Sequence, residues 1–150
     1  MRKVIMMGLC LLMGHVLAYA QRSLYRETDL AELGPLSNAE EKALQNFRNN
    51  PEVAEITVVK VDFSAFKSSR FSLSYHQTAT VATEELREMH DASPDEFSWF
   101  GKLSDETGVF FTVIGRQLAS KFYLGNVPML IVPLRGDYHL LVAYKNSIDQ

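Results

Sequence analysis

The spacing of apolar side chains changes several times along the chain. Residues 4–16 are mostly apolar and rich in Leu and Met, behind Arg2 and Lys3 and ahead of Ala18-Tyr19-Ala20. Residues 21–36 are polar, lack a period and end in Gly34-Pro35, which predicts a flexible arm. A period near 3.6 then appears over residues 37–49, with Ala43, Leu44 and Phe47 on one face of a predicted helix. Ser37 is a good N-cap, and Glu40 three places on completes a capping box that gives two orphan N–H groups partners. The helix is expected to stop at Asn49-Asn50-Pro51, because a proline disfavours helical geometry in the residue before it.

Beyond Pro51 the period falls to two. Residues 55–62 alternate and are rich in β-branched side chains, residues 71–75 put Phe71, Leu73 and Tyr75 on one face, and residues 78–83 continue in the same style. Residues 84–90 fit either a helical turn, through Leu86 and Met89, or an extension of the strand; residues 91–95 read as a loop. Further strands are predicted at 97–103, 109–114, 118–124, 129–132 and 138–144. Between them lie residues 104–108, Gly115, Gly125-Asn126 and Arg135-Gly136-Asp137. Short strands with brief turns predict an antiparallel meander. Strands do not alternate with long helices, which argues against a parallel α/β sheet. The expected fold class is α+β, mostly β: an N-terminal helix followed by an antiparallel β-meander sheet of about seven or eight strands.

The first segment has the three parts of a secretory signal peptide, with cleavage expected after Ala20. Its apolar core is too short for a spanning helix, which needs about 20 residues, and no second run of that length follows. Cys10, the only cysteine, lies inside that core behind Leu9, where lipoprotein processing wants a small residue. Cleavage would remove it, so disulfides and thiol catalysis are not expected in the exported domain. The expected organisation is a signal peptide over 1–20, a flexible arm over 21–36 and one domain over 37–150, secreted or periplasmic. Losing Arg2 and Lys3 takes the net charge from −3 to −5. A mildly acidic surface argues against nucleic acid or an anionic membrane as the main partner.

Motifs for chemistry are sparse. There is no His-Glu-x-x-His helix and no Gly-x-Ser-x-Gly elbow. His76, His90 and His139 fall in different predicted elements, and an enzyme site would need two of them to converge with an acid. The adjacent acids Glu84-Glu85 and Asp95-Glu96 point apart in extended chain, so they do not form a carboxylate pair. The glycines sit singly in predicted turns, and Arg135-Gly136-Asp137 reads as a turn rather than an adhesion tripeptide. No catalytic residue, metal ligand or cofactor is expected. The aromatics are more informative. Phe110-Phe111 and Phe122-Tyr123 must each put one ring on either face of a sheet. One face builds a core, and the other meets a helix, a second sheet or a partner. The candidate partner surface is Trp99, Phe100, Phe111, Tyr123 and Tyr138.

The C-terminal half carries a Trp99-Phe100-Gly101 strand, a Val/Thr-rich strand at 109–113, and a strand running into Gly125-Asn126. An apolar strand ending at Pro133-Leu134 and a final strand opening on Tyr138-His139 follow. In that order, with the strands at 56–62 and 71–75 before them, residues 51–145 resemble the N-terminal prodomain of secreted bacterial reprolysin-like, metzincin zinc metalloproteases. The resemblance implies a fold and a partner class, a secreted zinc metalloprotease. It does not imply protease activity: no catalytic domain follows before Gln150, and no cysteine remains to plug a zinc site. In that family the prodomain assists folding of the protease and blocks its active site. The resemblance thus implies a secreted, non-catalytic inhibitor or folding helper. The alternative is a periplasmic or envelope binding module for an apolar ligand or a surface assembly. A pocket lined by the aromatics from Trp99 to Tyr138 would favour it, and a solid core would count against it.

Overall fold

The computed structural model describes residues 22–82, 87–88, 95–103 and 106–146, with the backbone alone described for 77–82 and 87–88. The expected signal peptide, Cys10, His90 and the acids Glu84 and Glu85 lie outside these residues. The elements are β1 (Tyr25–Glu27), a 3-10 helix (Leu30–Leu33), α1 (Asn38–Arg48), β2 (Val53–Val61) and a second 3-10 helix (Phe63–Lys67). They continue with β3 (Arg70–Tyr75), β4 (Gln77–Ala82), β5 (Arg87–Glu88), β6 (Glu96–Leu103) and β7 (Gly108–Ile114). The last three are β8 (Gln117–Leu124), β9 (Val127–Arg135) and β10 (Tyr138–Tyr144). The strands pair antiparallel in the order β1-β2-β10-β9-β8-β7-β6-β4-β3, with β5 against β6. The fold is α+β and mostly β, as the alternation predicts. The strand not anticipated is the short β1; β5 falls in residues 84–90, which fit either a helical turn or an extension of the strand.

Local chemistry accounts for α1 and for three of the turns. The Ser37 hydroxyl accepts the Glu40 N–H at 3.3 Å, and the Glu40 carboxylate accepts the Ser37 N–H at 2.6 Å, which closes the capping box. Leu44 is buried, and with Phe47 it packs against Ile56 and Val58 of β2, Leu140 and Val142 of β10, and Leu130 and Val132 of β9. So α1 covers the outer face of these three strands. Two-residue turns join β7 to β8, β8 to β9 and β9 to β10, each with a glycine first: Gly115 (φ 61°), Gly125 (φ 59°) and Gly136 (φ 54°). Tight hairpins matching the right-handed strand twist need a positive φ there, which glycine adopts without strain.

The expected flexible arm over 21–36 is corrected. Leu24 and Tyr25 are fully buried, and Tyr25–Glu27 forms β1 against β2. Just ahead of β1, the Leu24 N–H donates to the Ser72 carbonyl at 3.0 Å, and the Ser72 N–H donates to the Arg22 carbonyl at 2.9 Å. The two ends of the strand order are thereby drawn together and the sheet curls on itself. The Tyr25 hydroxyl donates to the Ser74 carbonyl at 3.0 Å, and burial raises its phenol above the usual range. Composition could not reveal this, because the partners lie far downstream, on β2 and at Ser72, and the segment has only three strand residues.

The inward faces meet in a cluster of rings. Phe66, on the second 3-10 helix, lies 5.4 Å from Phe71, 5.3 Å from Phe97, 6.1 Å from Trp99 and 5.6 Å from Phe111, between ring centroids. All four contacts are edge-on, the arrangement ring quadrupoles favour, each worth about 0.5–1.5 kcal/mol beyond area burial. Truncating the hub should therefore be severe. Phe66→Ala is expected to lose about 3–5 kcal/mol of unfolding free energy, read from urea denaturation; a loss below about 1 kcal/mol would show that Phe66 does not organise the interior.

Arg135 ties the N-terminal segment to this sheet. Its guanidinium donates to both Glu40 oxygens, to the Leu33 carbonyl at 2.7 Å and to the Pro35 carbonyl at 2.9 Å. The Arg135 hydrogen bonds, with the Ser37 N–H, pull the Glu40 carboxyl from 4.5 to about 2. A depressed carboxyl pKa stabilises the fold above about 4.5, and that contribution fades as pH falls toward 2. Glu40→Gln should be less stable than wild type at neutral pH, and the two should converge as pH drops through this window, as measured by thermal unfolding. Parallel curves would exclude the linkage.

Candidate functional site

Alternation in β6, β7 and β8 sorts the rings. Trp99, Phe111 and Phe122 face inward and are buried, with relative exposures of 1%, 0% and 2%. Their neighbours face outward: Phe100 is 46% exposed, Phe110 42% and Tyr123 47%, and Ile114 on β7 reaches 59%. Phe100 and Phe110 are direct cross-strand partners, with ring centroids 5.4 Å apart. At the edge of this face Lys102 pairs with Glu106 at 3.3 Å. The helix that covers the outer face of the curl lies over β2, β10 and β9. Its apolar cover thus stops short of an aromatic patch on β6–β8.

Five residues were expected on a partner surface, and the structure divides them. Phe100 and Tyr123 lie on the outward patch. Trp99 and Phe111 are corrected: they belong to the interior ring cluster, 5.7 Å from each other between ring centroids. Tyr138 is also placed elsewhere, beside Lys60, whose Nζ lies 5.3 Å from its ring centre. Phe110 and Ile114 complete the patch and were missed. The Phe110-Phe111 pair announces that one ring faces out, but only the register with β6 decides which. The Trp99 indole N–H is buried without a hydrogen-bond partner among the described residues.

The other reactive groups are spent on structure. His76 occupies the single-residue link between β3 and β4 at a φ of 52°. Its Nε2 lies 2.9 Å from the Glu55 carboxylate, which also accepts the Tyr75 hydroxyl at 3.0 Å. Partial burial and that hydrogen bond raise the Tyr75 phenol. His139 is fully buried and bonded to backbone groups alone. His76 and His139 therefore serve separate clusters. Among the described residues, no group of three or more His, Cys, Asp or Glu side chains gathers to hold a metal ion.

A surface cleft of about 580 Å³ is lined by Arg22, Arg26, Lys60, Arg116, Asp62 and Asp137, among others. Its cations are compensated within the fold. Arg22 lies 3.5 Å from Asp62, Arg26 lies 3.5 Å from Glu32, and Arg116 pairs with Asp137. Arg116 also covers the Phe63 ring, and Lys60 covers Tyr138. Asp137 and Arg135, the charged members of the tripeptide Arg135-Gly136-Asp137, are each held in an internal ion pair.

Among the described residues, fold and surface together define a curled antiparallel sheet with a helix over β2, β10 and β9 and exposed aromatic rings on β6–β8. No protein family, curated protein or solved structure matches the chain.

Inward and outward rings should respond differently to truncation. Phe100→Ser, Phe110→Ser and Tyr123→Ser are each expected to change unfolding free energy by no more than about 1 kcal/mol. Phe111→Ala should lose about 3–5 kcal/mol. Urea denaturation of the four variants checks this; comparable losses throughout would place the outward rings in a core.

Proposed function

We propose that this chain is a non-catalytic binding protein, exported by its first twenty residues and docking a partner protein on the outer face of β6–β8. The observation that carries the reading is the side-by-side exposure of Phe100 and Phe110, with Ile114 and Tyr123 also facing outward on β7 and β8. Aromatic side chains grouped on a surface are depleted from ordinary solvated faces and enriched where proteins meet. They offer large contact area with few rotatable bonds, which suits the centre of an interface. The packing of the interior by Phe66, Phe71, Trp99 and Phe111 speaks against the alternative of an apolar ligand held inside the curl.

The partner class comes from the resemblance of residues 51–145 to metalloprotease prodomains. The proposed partner is a secreted zinc metalloprotease, inhibited or helped to fold. The face supports such a role because docking there requires no nucleophile, metal or cofactor from this chain. The test is a titration of purified protein lacking residues 1–20 into a panel of secreted zinc metalloproteases from the same source, with binding and peptidase activity both read. At least one enzyme is expected to bind, and the combined Phe100→Ser and Phe110→Ser variant should weaken that binding at least tenfold while remaining folded. Binding that survives the double substitution would remove the face from the proposal, and no binding across the panel would remove the partner class.

A further inference from the structure

The β8–β9 pairing ends before the start of β8, and a backbone donor there finds its acceptor in a side chain. The β8–β9 ladder runs from Leu124↔Val127 to Ser120↔Ile131 and stops there, two residues short of Pro133. A proline has no N–H with which to continue it. On the other side of β9 the register slips, so that Tyr138 pairs with Arg135 but His139 pairs with Pro133. The Leu118 N–H, beyond the end of the β8–β9 ladder, is taken instead by a side chain: it donates to His139 Nε2 at 2.8 Å. The other ring nitrogen, Nδ1, lies 3.0 Å from the Asp137 carbonyl.

These two contacts assign the proton. A carbonyl only accepts, so Nδ1 carries the hydrogen; a backbone N–H only donates, so Nε2 is bare. The ring is neutral and in one tautomer. We infer that His139 is an acid-sensitive latch that joins the start of β8 to the β9–β10 turn and releases them on taking up a proton at Nε2. A proton there sets N–H against the Leu118 N–H and abolishes the bond. The charged ring would also sit fully buried, with Phe63 as a neighbouring wall at 6.0 Å between ring centroids. The Asp137 carbonyl also accepts the Val61 N–H at 2.9 Å, and the Nδ1–H bond to it is kept when Nε2 takes its proton, so the bond that is lost is the one to the start of β8.

The surrounding charges do not rescue the protonated form. On its own hairpin the ring has Asp137, whose carboxylate is held by Arg116 at the β7–β8 turn. Lys60 of β2 and Asp62, which caps the Phe63–Lys67 helix, line the neighbouring cleft with opposite signs. Burial lowers the pKa of the imidazole below its ordinary 6.5, with the Asp137 hydrogen bond and charge acting in the opposite direction. A histidine depressed in this way binds its proton more weakly folded than unfolded. The stability it contributes is present above about 6.5 and is lost as pH falls below it, with the unfolding constant rising by up to about tenfold per pH unit.

The experiment is an imidazole ¹H–¹⁵N titration of the ¹⁵N-labelled protein from pH 8 to 5, joined to urea unfolding of wild type and His139→Gln over the same range. Glutamine offers an oxygen to the Leu118 N–H and does not titrate. The latch predicts a His139 with a bare Nε2 while neutral, taking its second proton below the ordinary imidazole range, and a shift of the Leu118 amide when the ring protonates. It also predicts a wild-type stability that falls with acid more steeply than that of the variant. Protonation of the ring at or above the ordinary 6.5 with an unmoved Leu118 amide would overturn it, as would parallel stability curves. If His139→Gln fails to fold, the wild-type ring titration decides alone.

Discussion

Successive residues of a β-strand point to opposite faces, and in this chain that rule governs where every paired aromatic goes. Phe110 and Phe111 cannot share a face, nor can Trp99 and Phe100, nor Phe122 and Tyr123. Once the ends of the strand order are drawn together through Leu24 and Ser72, one face becomes an interior. Phe66, Phe71, Trp99, Phe111 and Phe122 are buried there among aliphatic side chains such as Leu73, Val113 and Ile131. Their neighbours are then committed to the outside. An eleven-residue helix covers the outer face of three strands and leaves β6–β8 to whatever else the protein meets. The exposed patch is thus a consequence of how the core is built, and the proposed use by a partner would add a function to an arrangement that packing already requires.

With a single cysteine in the chain, no intrachain disulfide holds the curl. Polar ties at the ends of elements do that work. Arg135 joins the capping box of α1 and the carbonyls of Leu33 and Pro35 to the end of β9. His139 takes over beyond the end of the β8–β9 ladder. The Ser120 hydroxyl, also buried, donates to the Phe110 carbonyl just where β8 passes from pairing with β7 to pairing with β9. Each tie meets a backbone group that regular pairing leaves over, and two of them, His139 and Ser120, are buried. The two titratable ties act in separate ranges of pH. His139 acts as pH falls below about 6.5, and Glu40 acts as pH falls from about 4.5 toward 2.

Features set by nearby residues were legible from the sequence. Ser37 and Glu40 are three positions apart, so their capping box can be read without knowing the fold. The glycines of the three hairpin turns lie between runs of alternating residues and mark the register of their strands. Features set by distant pairing were not legible. Tyr25–Glu27 has too few residues to show a period, and only β2 and Ser72 make it part of the sheet. Arg135 reads as a turn residue until Glu40, ninety-five positions earlier, is found beneath it. The same limit applied to the candidate surface. Adjacent aromatics guarantee one outward ring, but pairing of β6 with β7 decided that Phe100 and Phe110 face solvent while Trp99 and Phe111 do not.

The division of rings between inside and outside is the claim on which the rest stands. Hydroxyl-radical footprinting of the free, folded protein reads it residue by residue. Phe100, Phe110 and Tyr123 should be oxidised readily, and Trp99, Phe111 and Phe122 should react only once the protein is unfolded. Rapid oxidation of Trp99 or Phe111 in the native state, or protection of Phe100 and Phe110 there, would contradict this account of both the core and the face.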